Sequence, residues 1–179
     1  MDGNCHFVFG TACGACTAIR LEELNGYLGV FPEGSDFHLL RIACVSLFIL
    51  GSLFPDIDNP NSHIGDITRP FSTVVKKINR MFGKRGARHR TMPHDLVTYI
   101  LLARLAYLYS PAMLFFCMGA GTHLYLDLFT PYGIPVLGKS VSISKINSES
   151  KEAVKFTYIH VMAVIMITAI EVISRGFVG

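Results

Sequence analysis

The sequence predicts an all-α protein, a polytopic membrane bundle of about four to five helices with a basic amphipathic loop helix on the cytoplasmic side. Three observations carry this expectation. Charged residues make up only 16% of the chain against 51% hydrophobic, with a mean hydropathy of +0.43. An ordinary soluble domain has about 25% charged residues, so this chain is short of the polar surface it would need in water. Its apolar residues fall in runs, the longest approaching the ~20 residues a helix needs to cross a bilayer. Half of its Lys and Arg residues (Arg69, Lys76, Lys77, Arg80, Lys84, Arg85, Arg88 and Arg90) lie in one stretch with no acid between them. That is how a cytoplasmic loop of a membrane protein reads.

At 179 residues the chain is expected to form a single domain, 1–179. The first apolar stretch, Phe7 to Ile19, is rich in Gly, Ala and Cys, which suits close helix packing in a membrane. It is short for a full span and is expected to extend through Arg20 toward Leu28. The N-terminus, Met-Asp-Gly-Asn, lacks the basic region of a cleavable signal peptide. Residues 32–36 form a loop. Leu39 to Phe54 is the second run and stops at Pro55-Asp56-Ile57-Asp58-Asn59-Pro60, which reads as a rigid turn rather than a helix. Asp56 and Asp58 are then two carboxylates at the mouth of a helix. They serve either as turn and capping residues or as a pair that binds hard cations.

In the basic stretch, Phe71, Val74, Val75, Ile78 and Phe82 fit one helical stripe, with Lys76, Lys77 and Arg80 opposite. This predicts an interfacial helix over 71–82. The simplest role of the loop is a solvated cytoplasmic segment; a sharper one is attraction to anionic lipid head groups or a phosphorylated substrate. Nucleic acid fits least, because few aromatics interleave with the charges. His89-Arg90 and His94 follow, just before the apolar run Leu96 to Tyr109. Ser110-Pro111 breaks the chain, and Ala112 to Phe129 is the next helix, ended by Thr130-Pro131 and Gly133. It carries His123 and Asp127 four residues apart, hence on one face, the way a helix offers two ligands to one metal ion. Val141, Ile143 and Ile146 mark a short extended segment. Phe156 to Ile173 is the last run, within which His160 reads as a hydrogen-bonded bundle histidine. The five cysteines lie mostly in apolar runs, and the Cys13-x-x-Cys16 pair, with no second pair to complete a zinc site, reads as packing.

If each run crosses the membrane, His6 lies before the first helix, and Asp56 and Asp58 end the second on the same side. The loop with His89 and His94 stays there. His123 and Asp127 return to it, within about 10 Å of the helix end at 1.5 Å per residue. All seven candidate ligands thus reach one face, which the positive-inside rule makes cytoplasmic. The set is N/O without thiolate and exceeds one tetrahedral site. Two divalent ions sharing Asp56 or Asp58 fit better, and such a site suits phosphoester hydrolysis. In that scheme Asp58 takes a proton and Arg90 neutralises phosphoryl charge. Affinity order favours zinc, with manganese open.

His6, Pro55-Asp56-Ile57-Asp58, His89-Arg90 with His94, and His123-xxx-Asp127 followed by Thr130-Pro131-x-Gly133 together resemble the YdjM family of inner-membrane metal-dependent hydrolases. The resemblance runs from His6 to about Gly138. The family pattern around the paired histidines is His-Arg-Gly-x-Thr-His-Ser, where this chain has Thr91, Pro93 and Asp95 for the Gly, Thr and Ser. The aspartate motif usually continues to His, where Asn59 stands. A more distant likeness is to the zinc-dependent phospholipases C and zinc nucleases. It implies that His6, Asp56, one or both of His89 and His94, His123 and Asp127 are metal ligands, and that the substrate is a phospholipid or other phosphoester. The competing expectation is a non-catalytic membrane protein with a structural metal, binding lipid or a protein partner. Metal transport ranks lowest, because the candidate ligands cluster at one end rather than along a path.

Overall fold

In a computed structural model, residues 1–59, 62, 73, 74, 77, 94–137 and 139–176 are described. The fold is mostly helical, with one small hairpin. Helix α1 spans Gly3–Ile19, α2 Leu21–Leu28 and α3 Phe37–Leu53, the last continuing as a 3-10 helix over Phe54–Asp58. Helix α4 spans Leu96–Tyr109, α5 Ala112–Asp127 and α6 Lys151–Gly176. The antiparallel strands β1 (Ile134–Val136) and β2 (Lys139–Val141) lie between α5 and α6, with Ile134 paired to Val141.

Three expectations are corrected. His6 does not precede the first helix but sits inside it, buried. The segment around Asp56 is not a turn but a 3-10 helix. Pro55 is tolerated at its first turn because an N–H there needs no intrahelical partner. The first helix also does not run on unbroken: it stops at Ile19, and Arg20 separates it from α2. The amphipathic helix expected over 71–82 lies outside the described residues, except for Thr73, Val74 and Lys77, all three helical.

The other limits follow from local chemistry. Asp36 caps α3, its carboxylate accepting from the His38 and Leu39 amides, and Asp95 caps α4 through the Val97 amide. After α5 the Thr130 hydroxyl donates to the Asp127 carbonyl, satisfying one of the last-turn carbonyls. Gly133 then turns at φ 61°. A Cβ there would stand 2.0 Å from the Val141 carbonyl oxygen, so only glycine lets the chain fold back into the hairpin.

Helix α3 is the centre of the bundle, packed against both α5 and α1. Small residues set these contacts. A Cβ on Gly51 of α3 would lie 2.0 Å from the Phe116 carbonyl oxygen, and one on Gly119 of α5 would lie 2.1 Å from the Phe48 carbonyl oxygen. The two backbones therefore touch, as in membrane helix pairs built on small residues. On α1, His6, Gly10, Gly14 and Ala18 are buried at four-residue spacing, with Gly10 against Ser52 and Gly14 against Phe48.

Much of the outer surface of the described helices is apolar. Phe37–Ile57 and Lys151–Arg175 are long and apolar enough to cross a membrane, and most of each is unburied. Ile159, Met162, Met166, Ile170 and Ile173 of α6 are exposed, as are Ile100, Leu101, Leu105 and Leu108 of α4. Contiguous apolar surface of this extent is foreign to a water-soluble monomer and proper to one solvated by lipid.

Candidate metal centre

The close contact of α3 and α5 decides where the histidines go. Ser52 is in the last turn of α3, where carbonyls lose their intrahelical partners. Pro55, three residues on, brings no N–H with which a tightening turn could engage it. The Ser52 carbonyl lies instead 2.7 Å from Nδ1 of His123. A carbonyl only accepts, so Nδ1 carries the proton and Nε2 presents a lone pair. This is the backbone support usual for a metal-ligating imidazole.

That Nε2 faces a group of buried acids and imidazoles. It is 3.5 Å from Asp127 Oδ2 and 3.8 Å from Asp56 Oδ1. Nε2 of His94 is 3.6 Å from Asp56 Oδ1 and 3.8 Å from Asp127 Oδ2. His6 approaches from the other side, its ring stacked on that of His123 at 3.5 Å between centroids and its Nε2 3.5 Å from Asp127 Oδ1. The α-amino group of Met1 is 2.6 Å from the same Oδ1. All five side chains are buried, His94 and His123 completely.

These distances bear on what the site holds. At 3.5–3.8 Å the N···O pairs are too long for good hydrogen bonds. They are close to the ~3.3 Å edge of a tetrahedron of N and O ligands around an ion with bonds of ~2.0–2.1 Å. Neither ring nitrogen of His6 nor Nε2 of His123 has a hydrogen-bond partner among the described residues, a costly state in a closed site unless another group engages them. Ligand atoms of His6, His123 and Asp127 lie within 4.8 Å of one another, as do those of Asp56, His94 and His123. The donor set therefore fits a divalent cation. Outside the membrane-spanning segments, burial pushes the His94 imidazole below its ordinary pKa, which keeps it neutral and able to ligate.

Of the seven residues singled out as ligands, the structure brings together His6, Asp56, His94, His123 and Asp127. His89 and Arg90 lie outside the described residues, and of Asp58 only the backbone is described. The carboxylate whose two oxygens face different histidines is Asp127, not Asp56 or Asp58, the residues expected to bridge. The Ser52 carbonyl had no signal in the sequence beyond the proline three residues later. His160 is the hydrogen-bonded histidine expected, with Nδ1 2.8 Å from the Phe156 carbonyl oxygen.

A lipid-solvated helical bundle with a buried His/Asp centre capable of holding a metal ion defines the class of this protein. The family model described as "YdjM inner membrane protein" matches residues 1–176, and the chain belongs to that family. The proteins named "Inner membrane protein YdjM" of Escherichia coli (strain K12) and of Shigella flexneri are each 30% identical to it over 145 residues. The match covers 76% of this chain and 65% of each relative, so the chain spans just under two-thirds of the length of the curated relatives it matches. No solved structure matches it.

Proposed function

We propose that this protein is a membrane-embedded, metal-dependent hydrolase that acts on a phospholipid or other phosphoester at the cytoplasmic face. One observation carries the reading: three imidazoles and two carboxylates from α1, the 3-10 extension of α3, the residues just before α4, and the end of α5 converge with their Nε2 and Oδ atoms 3.5–3.8 Å apart. A bound divalent ion supplies Lewis-acid activation of water and of a phosphoryl oxygen. Asp56, His94 and His123, with Asp127 beside them, would hold it, and the Ser52 carbonyl would keep His123 in the ligating tautomer. Asp127 turns its other oxygen toward His6 and the Met1 amino group, so His6, His123 and Asp127 form a second group of atoms that could hold an ion. Asp58 as proton acceptor and Arg90 as partner of the phosphoryl charge complete the reading on their sequence positions alone. Zinc suits the N/O set best, followed by manganese. The chain crosses the membrane several times with residues 69–90 and the centre on the cytoplasmic side, a reading supported by the charge asymmetry.

The depth of burial favours a second reading, in which the ion is structural and the protein binds lipid or a partner without turnover. Metal content of the detergent-purified protein separates both from a metal-free bundle. Wild type should retain one to two equivalents of a divalent ion, and Asp56→Ala and His123→Ala should lose it. A screen of phosphodiester and phospholipid substrates then separates the two metal readings. Turnover lost in His123→Ala with helical content intact supports the hydrolase, whereas unfolding of His123→Ala with no turnover by wild type supports the structural ion.

A further inference from the structure

Helices α5 and α6 meet through rings at one end and diverge beyond it. Phe129 lies 4.6 Å from Phe156, and Tyr125 lies 5.7 Å from His160, between ring centroids. Past this aromatic contact, α6 packs along α1 rather than α5. The divergence leaves a groove of about 750 Å³ floored by α1 and walled by α5 and α6, with Gly121 and Met118 on one side and Ala163 and Ile167 on the other. Its far end is closed by Arg20, which pairs with Glu171 at 2.5 Å and Glu23 at 3.3 Å.

The lining is mostly apolar, and several of its polar groups are engaged within the protein. The Thr17 hydroxyl donates to the Cys13 carbonyl and the Thr122 hydroxyl to the Gly119 carbonyl. His160 Nδ1 is taken by Phe156, and Arg20 by its two carboxylates. These wall groups are already engaged within the protein and ask nothing of an occupant. From Phe9 to Arg20 along α1 the groove is about 17 Å long at 1.5 Å per residue, close to half of the ~30 Å hydrocarbon core of a bilayer. It is cut into the flank of α6, whose outward residues are apolar and exposed, so it opens onto lipid tails and not onto water.

We propose that this groove is a binding site for one hydrocarbon chain of a membrane lipid. The volume falls within the ~300–1,000 Å³ of sites that enclose small ligands, and the length matches one chain of one leaflet. Gly121 is what opens it. A Cβ at Gly121 would meet no atom within 4 Å, so a large side chain there enters the groove without disturbing the bundle.

The test is photolabelling of the full chain in phosphatidylcholine vesicles containing a trace of phosphatidylcholine with a diazirine on one acyl chain. The label should concentrate on the peptides around Gly121 and Ala163 relative to the outward face of α4 at Ile100. Gly121→Phe should lower that labelling about ten-fold, Gly121→Ala should retain it, and Ile100→Phe should leave it unchanged. Labelling spread evenly over α4 and the groove, or undiminished in Gly121→Phe, overturns the proposal. So does a dimer that Gly121→Phe dissociates, which would place a partner helix there. The inference does not rest on the hydrolase reading, because the label should concentrate in the groove of the wild-type protein whether or not it turns over a phosphoester.

Discussion

His123 does two jobs at once, and its two nitrogens divide them. Nδ1 is fixed by the Ser52 carbonyl and Nε2 is aimed at Asp56 and Asp127. His123→Ala is expected to abolish retained metal, and His123→Gln to restore little of it, since an amide offers no aromatic nitrogen lone pair in that place. Metal analysis of both variants beside wild type checks this. The pH dependence follows from His94. Burial pushes its pKa down in the fold, while the unfolded chain titrates near ~6.5. The unfolded state thus takes up more protons below that pH. The stability held by the neutral imidazole is complete above ~6.5 and is lost as pH falls. The thermal midpoint in detergent should decline between pH 7 and 5, and less steeply in His94→Gln. At this scale the sequence was legible in identity and silent in geometry. The His123–Asp127 spacing pointed to a shared face, and Asp56 and His94 stood at helix ends. No side-chain pattern could announce that a backbone carbonyl would orient His123, or that His6 would stack on its ring.

Elements carry the next level. Helix α4 occupies Leu96–Tyr109, the limits its apolar run and flanking residues give, and Thr130 with Gly133 ends α5 as the turn residues require. What the sequence left hidden is which glycines matter. Gly51 and Gly119 look alike beside Gly121, yet the first two sit at the α3–α5 contact and the third faces open space. Partner choice is a tertiary property that one strand of sequence does not display. Gly119→Val should force the helices apart, cost about 1–3 kcal/mol as overpacking does, and loosen metal binding because Ser52 moves away from His123. Gly121→Val should do neither. Thermal unfolding with metal analysis distinguishes them. The 3-10 turn at Asp56 was missed for a related reason. Two prolines argue against an α-helix but leave open the shorter turn, in which Pro55 has no N–H to lose. The strand Ile134–Val136 is only three residues long and contains Pro135, below what alternation can reveal.

At the scale of the whole molecule, the low charge and the apolar runs were enough to place it in a membrane, and the exposed faces of α4 and α6 agree with that placement. Direction across the membrane is a separate expectation with its own measurement. In a cysteine-free background, Ser35→Cys, in the loop before α3, should react with an impermeant maleimide from the outer side. Lys84→Cys, in the basic stretch, should react only from the cytoplasmic side. Labelling of both from one side would refute the proposed topology. The order of apolar runs led to the expectation that the candidate ligands share one face; His6, Asp56, His94, His123 and Asp127 do lie together, but His6 does so from within α1 rather than ahead of it.

The centre draws on the first helix made and on the fifth. His6 is made early in synthesis, while the partners that face it, His123 and Asp127, follow after most of the chain. Domains grow from the N-terminus as they are synthesised, so until α5 arrives the early ligands sit in an incomplete pocket. The cluster is therefore a late checkpoint of assembly. A chain halted before α5 has apolar helices but lacks His123 and Asp127, and only a bundle closed around all of these groups would gain the stability that an ion binding the folded state confers.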